Sequence, residues 1–312
     1  MKLIDLHCDT IDKLMVNVKE SRLLSNEFSV DIQKLKEANS LAQTFALYVD
    51  IGDIKKPFDY CMSMADKFFE EIKINSDVIS LARNYDEIIK NEANNKLSAI
   101  LSIEEGAVLE GEMDNLNKFY NLGVRMMTLT WNYANEIGYP HHWGESKEIG
   151  LTSFGKDVVQ NMNDIGMLVD VSHLSDAGFY DVAKISTKPF IATHSNSRKM
   201  MNHSRNLNDD MIKILGDSGG VTGLNFCHSF LSECDISKID HMVKHIKHIV
   251  NVGGIDVMSI GTDFDGIDSE VEINDISEMN KLICGLEKSG FTYDEIEKIY
   301  YKNALRVIKE VL

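Results

Sequence analysis

The chain has 312 residues, 44% of them apolar and 26% charged, which is the composition of a soluble globular protein with enough length for a large core. It carries 32 Lys and Arg against 49 Asp and Glu, a formal charge of −17. That negative surplus argues against nucleic acid and anionic membranes as partners, because binding to phosphate depends on basic clusters.

The chain opens with Met1-Lys2-Leu3-Ile4-Asp5, which lacks the long apolar segment of a signal peptide. No apolar run reaches the roughly 20 residues that span a bilayer. Five cysteines (Cys8, Cys61, Cys227, Cys234 and Cys284) are scattered and never form a CxxC pair. They read as reduced thiols, so a cytoplasmic protein is expected. With three prolines and no linker, repeat or low-complexity tract, residues 1–312 are expected to form a single domain.

Short runs rich in Val, Ile, Leu and Thr predict strands at Lys2–Leu6, Leu41–Val49, Leu97–Ile103, Val124–Thr130, Met167–Ser172, Pro189–Thr193, Gly220–Phe226 and Val257–Thr262. Helical spacing lies between them. Phe58, Cys61, Met62, Ala65, Phe68, Phe69 and Ile72 share one face. Ser153–Ile165, Ser175–Ile185, Leu207–Leu215 and Ile236–Val250 behave alike, several opening on a Ser or Asn suited to N-capping. Ile296, Ile299, Tyr300, Ala304, Val307, Ile308 and Val311 predict a closing amphipathic helix. Eight strands alternating with helices predict an α/β fold, a parallel (β/α)8 TIM-like barrel. An open nucleotide-binding sheet is disfavoured because no glycine-rich loop follows the first strand.

The strand ends carry the chemistry. The first runs into His7-Cys8-Asp9, the third into Glu104-Glu105-Gly106, the fifth into His173, the sixth into His194 and the eighth into Asp263. Barrel active sites form at the carboxyl ends of strands, so these residues are expected to converge. His7 and Asp9, two apart on a strand, face the same side and can hold one ion together. Imidazole and carboxylate donors suit zinc, ahead of manganese or iron. Taken singly, each of these residues also fits a structural role; five strand ends filled with ligand types do not.

Leu6-His7-Cys8-Asp9-Thr10, Ile103-Glu104-Glu105-Gly106, Asp170-Val171-Ser172-His173, Thr193-His194-Ser195, Ser204-Arg205-Asn206 and Gly261-Thr262-Asp263-Phe264-Asp265-Gly266 together resemble the membrane (renal) dipeptidase family of zinc metallopeptidases, peptidase family M19. The order and spacing match along essentially the whole chain. The resemblance implies a metallo-dependent hydrolase barrel with two zinc ions that hydrolyses dipeptides. It implies that His7 and Asp9 hold one ion, His173 and His194 the other, and that Glu104 bridges both. It further implies Asp263 as general acid/base, Arg205 as the ligand of the substrate carboxylate, and a homodimer. Membrane anchors belong to only some animal members, and no hydrophobic C-terminal tail is present here.

Strand parity separately selects between Glu104 and Glu105. Behind Glu105 lie Ile103, Leu101 and Ala99, an apolar row suited to packing under helices. Behind Glu104 lie Ser102, Ile100 and Ser98, a smaller, more polar row suited to a barrel interior. One position departs from the family: Trp131 follows Leu129-Thr130 where the mammalian type places a histidine. An indole N–H donates a hydrogen bond but carries no positive charge. Oxyanion stabilisation would then fall on the metals, or on His141 or His142, although paired loop histidines are usually solvated. Trp131 itself is expected to wall the substrate pocket.

His241, His245 and His248 share a helix face that nearby Lys244 and Lys247 mark as solvated. Asp265 is expected to support the site from behind its ligands or to shape a turn, rather than to open a calcium loop, whose later acidic ligands are missing. His203 and His228 stay unassigned, with one of them a candidate for the pocket near Arg205. Ser195 lacks the glycines of a nucleophile elbow, and the dispersed methionines read as core filler.

The expected function is therefore zinc-dependent hydrolysis of free dipeptides, with a C-terminal D-residue admitted by the resemblance. Two other readings stand beside it. One is a metal-dependent amidohydrolase of N-acyl amino acids or cyclic amides, distinguished by whether a free amine is needed. The other is a metal-bearing barrel that binds a ligand without turning it over.

Overall fold

In a computed structural model, which describes residues 1–16, 21–142 and 145–312, eight parallel strands close into a barrel. They are β1 (Leu3–Asp5), β2 (Ser40–Tyr48), β3 (Leu97–Glu104), β4 (Val124–Thr128), β5 (Leu168–Asp170), β6 (Ile191–Ala192), β7 (Val221–Leu224) and β8 (Met258–Ile260). Each pairs with the next, and β8 pairs with β1 through Ile260 and Asp5. All eight fall within or across the runs expected from sequence. Apart from β2 and β3, the ladders are shorter than those runs, as the chain leaves the sheet before each run ends. Single bonds continue beyond them, as from Ser195 N–H to the Gly223 carbonyl at 2.9 Å.

One barrel-flanking strand has no counterpart in the sequence reading. Ile79–Leu81 pairs with Leu97–Ala99 of β3, on the flank that β4 joins only from Leu101 onward. It fills an edge that would otherwise be bare. A second small sheet pairs Ile236–Ser237 with Glu270–Val271.

Side chains sort by strand parity into two cores. Inside the barrel, Ile4, Ala42, Ile100, Met126, Leu168, Ile191 and Val221 form one cluster. The helix Asn303–Val311 closes its lower mouth with Ala304, Val307, Ile308 and Val311. Outside, Ala99, Leu101 and Ile103 join the larger layer under the surrounding helices. There the helix Pro57–Ile74 contributes Cys61, Met64, Ala65, Phe68 and Ile72. Each fully buried Ile, Leu or Phe in these layers stabilises by about 1.5–3 kcal/mol.

Capping follows the expected chemistry with small shifts in position. Thr152, Ser175 and Asn208 accept from the backbone N–H of Gly155, Gly178 and Met211, opening the helices Ser153–Ile165, Asp176–Ile185 and Asp209–Asp217. The closing helix is interrupted: Tyr293–Glu297 passes through a wide turn at Lys298–Lys302 before Asn303–Val311. At that joint Asn303 Nδ2 donates to the Ile255 and Met258 carbonyls, both at 2.8 Å, which ties the plug to β8. With its lower end filled by this helix, the barrel places the cavity over its polar residues at the carboxyl ends of the strands.

Candidate metal centre and active site

Parity places Glu104 inside the barrel, in the row of Ile100, as its polar neighbours suggest. Its two carboxylate oxygens face different partners. Oε1 lies 3.0 Å from His173 Nε2 and 3.3 Å from His194 Nε2, whereas Oε2 lies 3.4 Å from His7 Nε2. His7 Nε2 is in turn 3.4 Å from Asp9 Oδ2. Among the described residues three compact donor groups result: His7–Asp9–Glu104 and Glu104–His173–His194, which share Glu104, and His7–His194–Asp263.

The donor set fits metal ions. Nitrogen and oxygen ligands about 2.0–2.1 Å from a tetrahedral ion stand on the order of 3.3 Å apart, which is the spacing seen here. His7 Nε2 and Asp9 Oδ1 are buried without a hydrogen-bond partner among the described residues. Orphaned buried polar atoms are costly unless something binds them. His173 Nε2 and His194 Nε2 face each other at 3.0 Å, a contact of two lone pairs unless one is protonated or both bind an ion.

The surroundings present the correct nitrogen. Asp170 accepts from Thr128 Oγ1 at 2.6 Å, from Ser172 N–H and Thr193 N–H at 2.9 Å each, and from Thr193 Oγ1 at 2.5 Å. The single Thr193 proton thus goes to Asp170, so Thr193 Oγ1 accepts from His194 Nδ1–H at 2.7 Å. His194 Nε2 is left bare toward Glu104, the arrangement an imidazole ligand needs. Gly261 allows this packing, because a Cβ there would collide with the Thr193 carbonyl oxygen. Gly266 gives the same freedom beside Asp9 Oδ2.

Electrostatics divide the cluster. Burial and the nearby Arg205 push His173 down to about 4, and burial followed by His7 holds His194 well below its usual value. Burial also opposes protonation of His7, but Glu104 and Asp9 outweigh it and hold that imidazole well above its usual range. Burial lifts Asp9 to about 8 and Asp263 to about 6.

Asp263 stands at the end of β8, with Oδ1 3.8 Å from His7 Nε2 and Oδ2 accepting from Asn225 Nδ2 at 2.7 Å. Its φ of 62° and the 66° of His173 are left-handed conformations uncommon outside glycine. Two site residues thus sit where strain concentrates at working sites. Arg205 is 3% exposed; it donates to Ser195 Oγ and to the His194 carbonyl, both at 3.2 Å, and its Nε has no partner among the described residues.

A cavity of about 410 Å³ opens over these groups, with Asp9, Glu104, His173, Arg205 and Asp263 in its lining. Trp131 and Tyr48 form one wall, their rings edge-on at 4.9 Å. Phe230 and His203 line the side nearest Arg205, with the guanidinium 5.4 Å from the Phe230 ring. Glu105 points away from the donors and accepts from Ala107 N–H, Trp131 N–H and Asn135 Nδ2, which fixes the loop that carries Trp131.

Some sequence expectations are revised. His141 is 7% exposed rather than solvated, and both ring nitrogens are engaged, Nδ1 with Ser204 Oγ at 2.8 Å and Nε2 with Asn132 Oδ1 at 3.2 Å. His142 is exposed and meets the Asn132 carbonyl. His245 is buried too, accepting from Ser197 N–H and facing the Leu231 carbonyl, because it flanks the inward row Met242, Ile246 and Ile249. His241 and His248 instead meet Ser232 and Asp209. Asp265 shapes its turn by accepting from Thr10 Oγ1 and Ser29 N–H. His203 lines the pocket, whereas His228 meets the Cys234 carbonyl outside it. Sequence reading missed Asn132 and Asn225, and quoted Asp170 and Thr193 in its motifs without pairing them. Position is the signal that could have flagged them: Asp170 ends β5, Thr193 and Asn225 directly follow β6 and β7, and Asn132 lies in the loop after β4.

A closed β/α barrel with histidines and carboxylates gathered at its carboxyl ends defines the metal-dependent hydrolase class. Within that class, the family model described as membrane dipeptidase (peptidase family M19) matches residues 1–312, and the chain belongs to that family. An uncharacterised dipeptidase of Schizosaccharomyces pombe is 29% identical over 334 residues, covering 99% of this chain and 80% of that one. An uncharacterised Klebsiella pneumoniae protein is 35% identical over 228 residues, 69% of this chain and 82% of its own. Among solved structures, a metallopeptidase of Rhodobacter sphaeroides, liganded with a phosphinate mimic of the dipeptide L-Ala-D-Ala, shares the fold. It superposes with a TM-score of 0.94 at 23% identity, covering 100% of this chain and 99% of that one.

Proposed function

We propose that this chain hydrolyses free dipeptides with two zinc ions, one held by His7, Asp9 and Glu104 and the other by Glu104, His173 and His194. The observation that carries the reading is Glu104 turning one carboxylate oxygen toward each donor group. Membership of the dipeptidase family and the dipeptide mimic bound by the Rhodobacter relative support the substrate class. Two zinc ions so held would lower the pKa of a water and polarise the scissile carbonyl.

The remaining work falls to side chains. Asp263, lifted toward neutrality by burial and oriented by Asn225, takes the proton of the attacking water and returns it to the leaving amine. Arg205 receives the substrate carboxylate, since its guanidinium is buried, faces the cavity and has an unused N–H. Trp131 and Tyr48 give the pocket an aromatic wall against which the substrate packs. With both nitrogens of His141 engaged and His142 turned to the Asn132 carbonyl, the bound ions would supply the oxyanion stabilisation. Five free thiols support a cytoplasmic setting, and no helix of the described residues is long and apolar enough to cross a membrane. The proposed homodimer is read by light scattering.

The reading is tested by offering zinc-reconstituted protein L-Ala–L-Ala, L-Ala–D-Ala and N-acetyl-L-Ala–L-Ala. Cleavage of the free dipeptides alone is expected. Cleavage of the acetylated compound alone would establish the amidohydrolase reading instead, and binding without turnover would establish a non-catalytic barrel. A second measurement concerns Arg205→Lys, which loses the forked donor but keeps the charge. KM for a free dipeptide is expected to rise about 10–100-fold, with a smaller change in kcat. An unchanged KM removes Arg205 from carboxylate binding.

A further inference from the structure

His141 and Asn132 are buried or half-buried polar groups that the proposed chemistry does not use. Their bonds form an ordered chain. Asn132 Oδ1 lies 3.2 Å from His173 Nδ1 and 3.2 Å from His141 Nε2, and His141 Nδ1 lies 2.8 Å from Ser204 Oγ. An amide oxygen only accepts, so both imidazoles donate to it. His141, donating through Nε2, then meets Ser204 with Nδ1, which accepts the Ser204 hydroxyl proton. His173 is likewise bare at Nε2, the atom that faces Glu104 at 3.0 Å. Turning the Asn132 amide over would reverse every proton and place N–H on His173 Nε2, where it could not hold an ion. The same contact region is stitched by His141 N–H donating to the His173 carbonyl at 2.7 Å. At the far end, Ser204 immediately precedes Arg205 in the chain.

We infer that Asn132 is a positioning residue that fixes the metal-binding face of His173 and, through His141 and Ser204, the loop presenting Arg205. One amide oxygen thereby links the metal centre to the grip on the substrate carboxylate. The inference rests on His173 as a metal ligand, so its test includes that residue.

Zinc affinity of the metal-stripped full chain is measured by chelator competition, alongside KM and kcat of the zinc-loaded protein. Asn132→Ala is expected to weaken zinc binding about 10–100-fold and to raise KM, while thermal unfolding of the stripped protein shows that it folds. Asn132→Asp restores an acceptor oxygen and is expected to return zinc affinity to near the parent value, an outcome that a merely structural role would not give. Ser204→Ala is expected to raise KM several-fold at unchanged zinc affinity. Zinc binding by Asn132→Ala within about twofold of the parent overturns the inference. So does failure of Asn132→Asp to restore it, and an unchanged KM in Ser204→Ala overturns the link to Arg205. His173→Ala separates the two levels. If it binds zinc like the parent, the ligand assignment itself fails; if it loses zinc while Asn132→Ala does not, only the positioning role fails.

Discussion

Asp263→Asn should lower kcat by about 10²–10⁴-fold while leaving metal content near that of the parent. The substitution keeps size and shape, and an amide oxygen can still accept from Asn225 Nδ2, so the surroundings need not move. What disappears is the capacity to take a proton from water and return it to an amine. A group serves both steps best when its pKa lies near the working pH, and burial lifts this carboxyl to about 6. Two readouts decide the outcome, turnover and bound metal per chain. Near-normal turnover would remove Asp263 from proton transfer. Loss of metal would instead make it a ligand, which its place in a third donor group with His7 and His194 allows.

Glu104→Gln should have the opposite signature, with metal lost first and activity lost as a consequence. The carboxylate is the only member common to both main donor groups, and a neutral amide offers one weakly coordinating oxygen in place of two charged ones. It is also the negative charge, with Asp9, that counters the burial of His7. Fewer than two zinc ions per chain are expected after dialysis, with turnover falling in step. Full loading of two ions would exclude a bridging role. Glu105→Gln is the natural companion, since Glu105 faces backbone and Asn135 donors away from the metal groups. Metal content should be unaffected there.

The fold was legible because a parallel barrel buries its strands on both faces, which writes each one as a continuous apolar run. Ile79–Leu81 escaped because three residues, two of them half-buried, leave no such run. The choice between Glu104 and Glu105 was also legible, since alternation continues to the last residue of β3. His141 and His245 were misjudged for a shared reason: local spacing says what a helix or loop offers, not which distant backbone covers it. Asn132 meets His173, 41 positions away, and Asn225 meets Asp263, 38 away. Partnerships of that reach follow from barrel closure, and no local pattern announces them.

Closure has a further meaning for the metal. Asp5 accepts from the Thr262 hydroxyl at 2.8 Å across 257 positions of sequence, at the seam where β1 meets β8. His7 and Asp9 stand on one side of that seam and Asp263 on the other, while Glu104, His173 and His194 are spread through the chain between them. A barrel with β1 undocked would therefore keep the Glu104–His173–His194 group and lose the one that needs His7 and Asp9. An ion held by His7, Asp9 and Glu104 would then act as a clasp on the finished ring, its free energy adding to that of folding. Openings of the ring that separate His7 and Asp9 from Glu104 would become rarer in proportion to how tightly that ion is held.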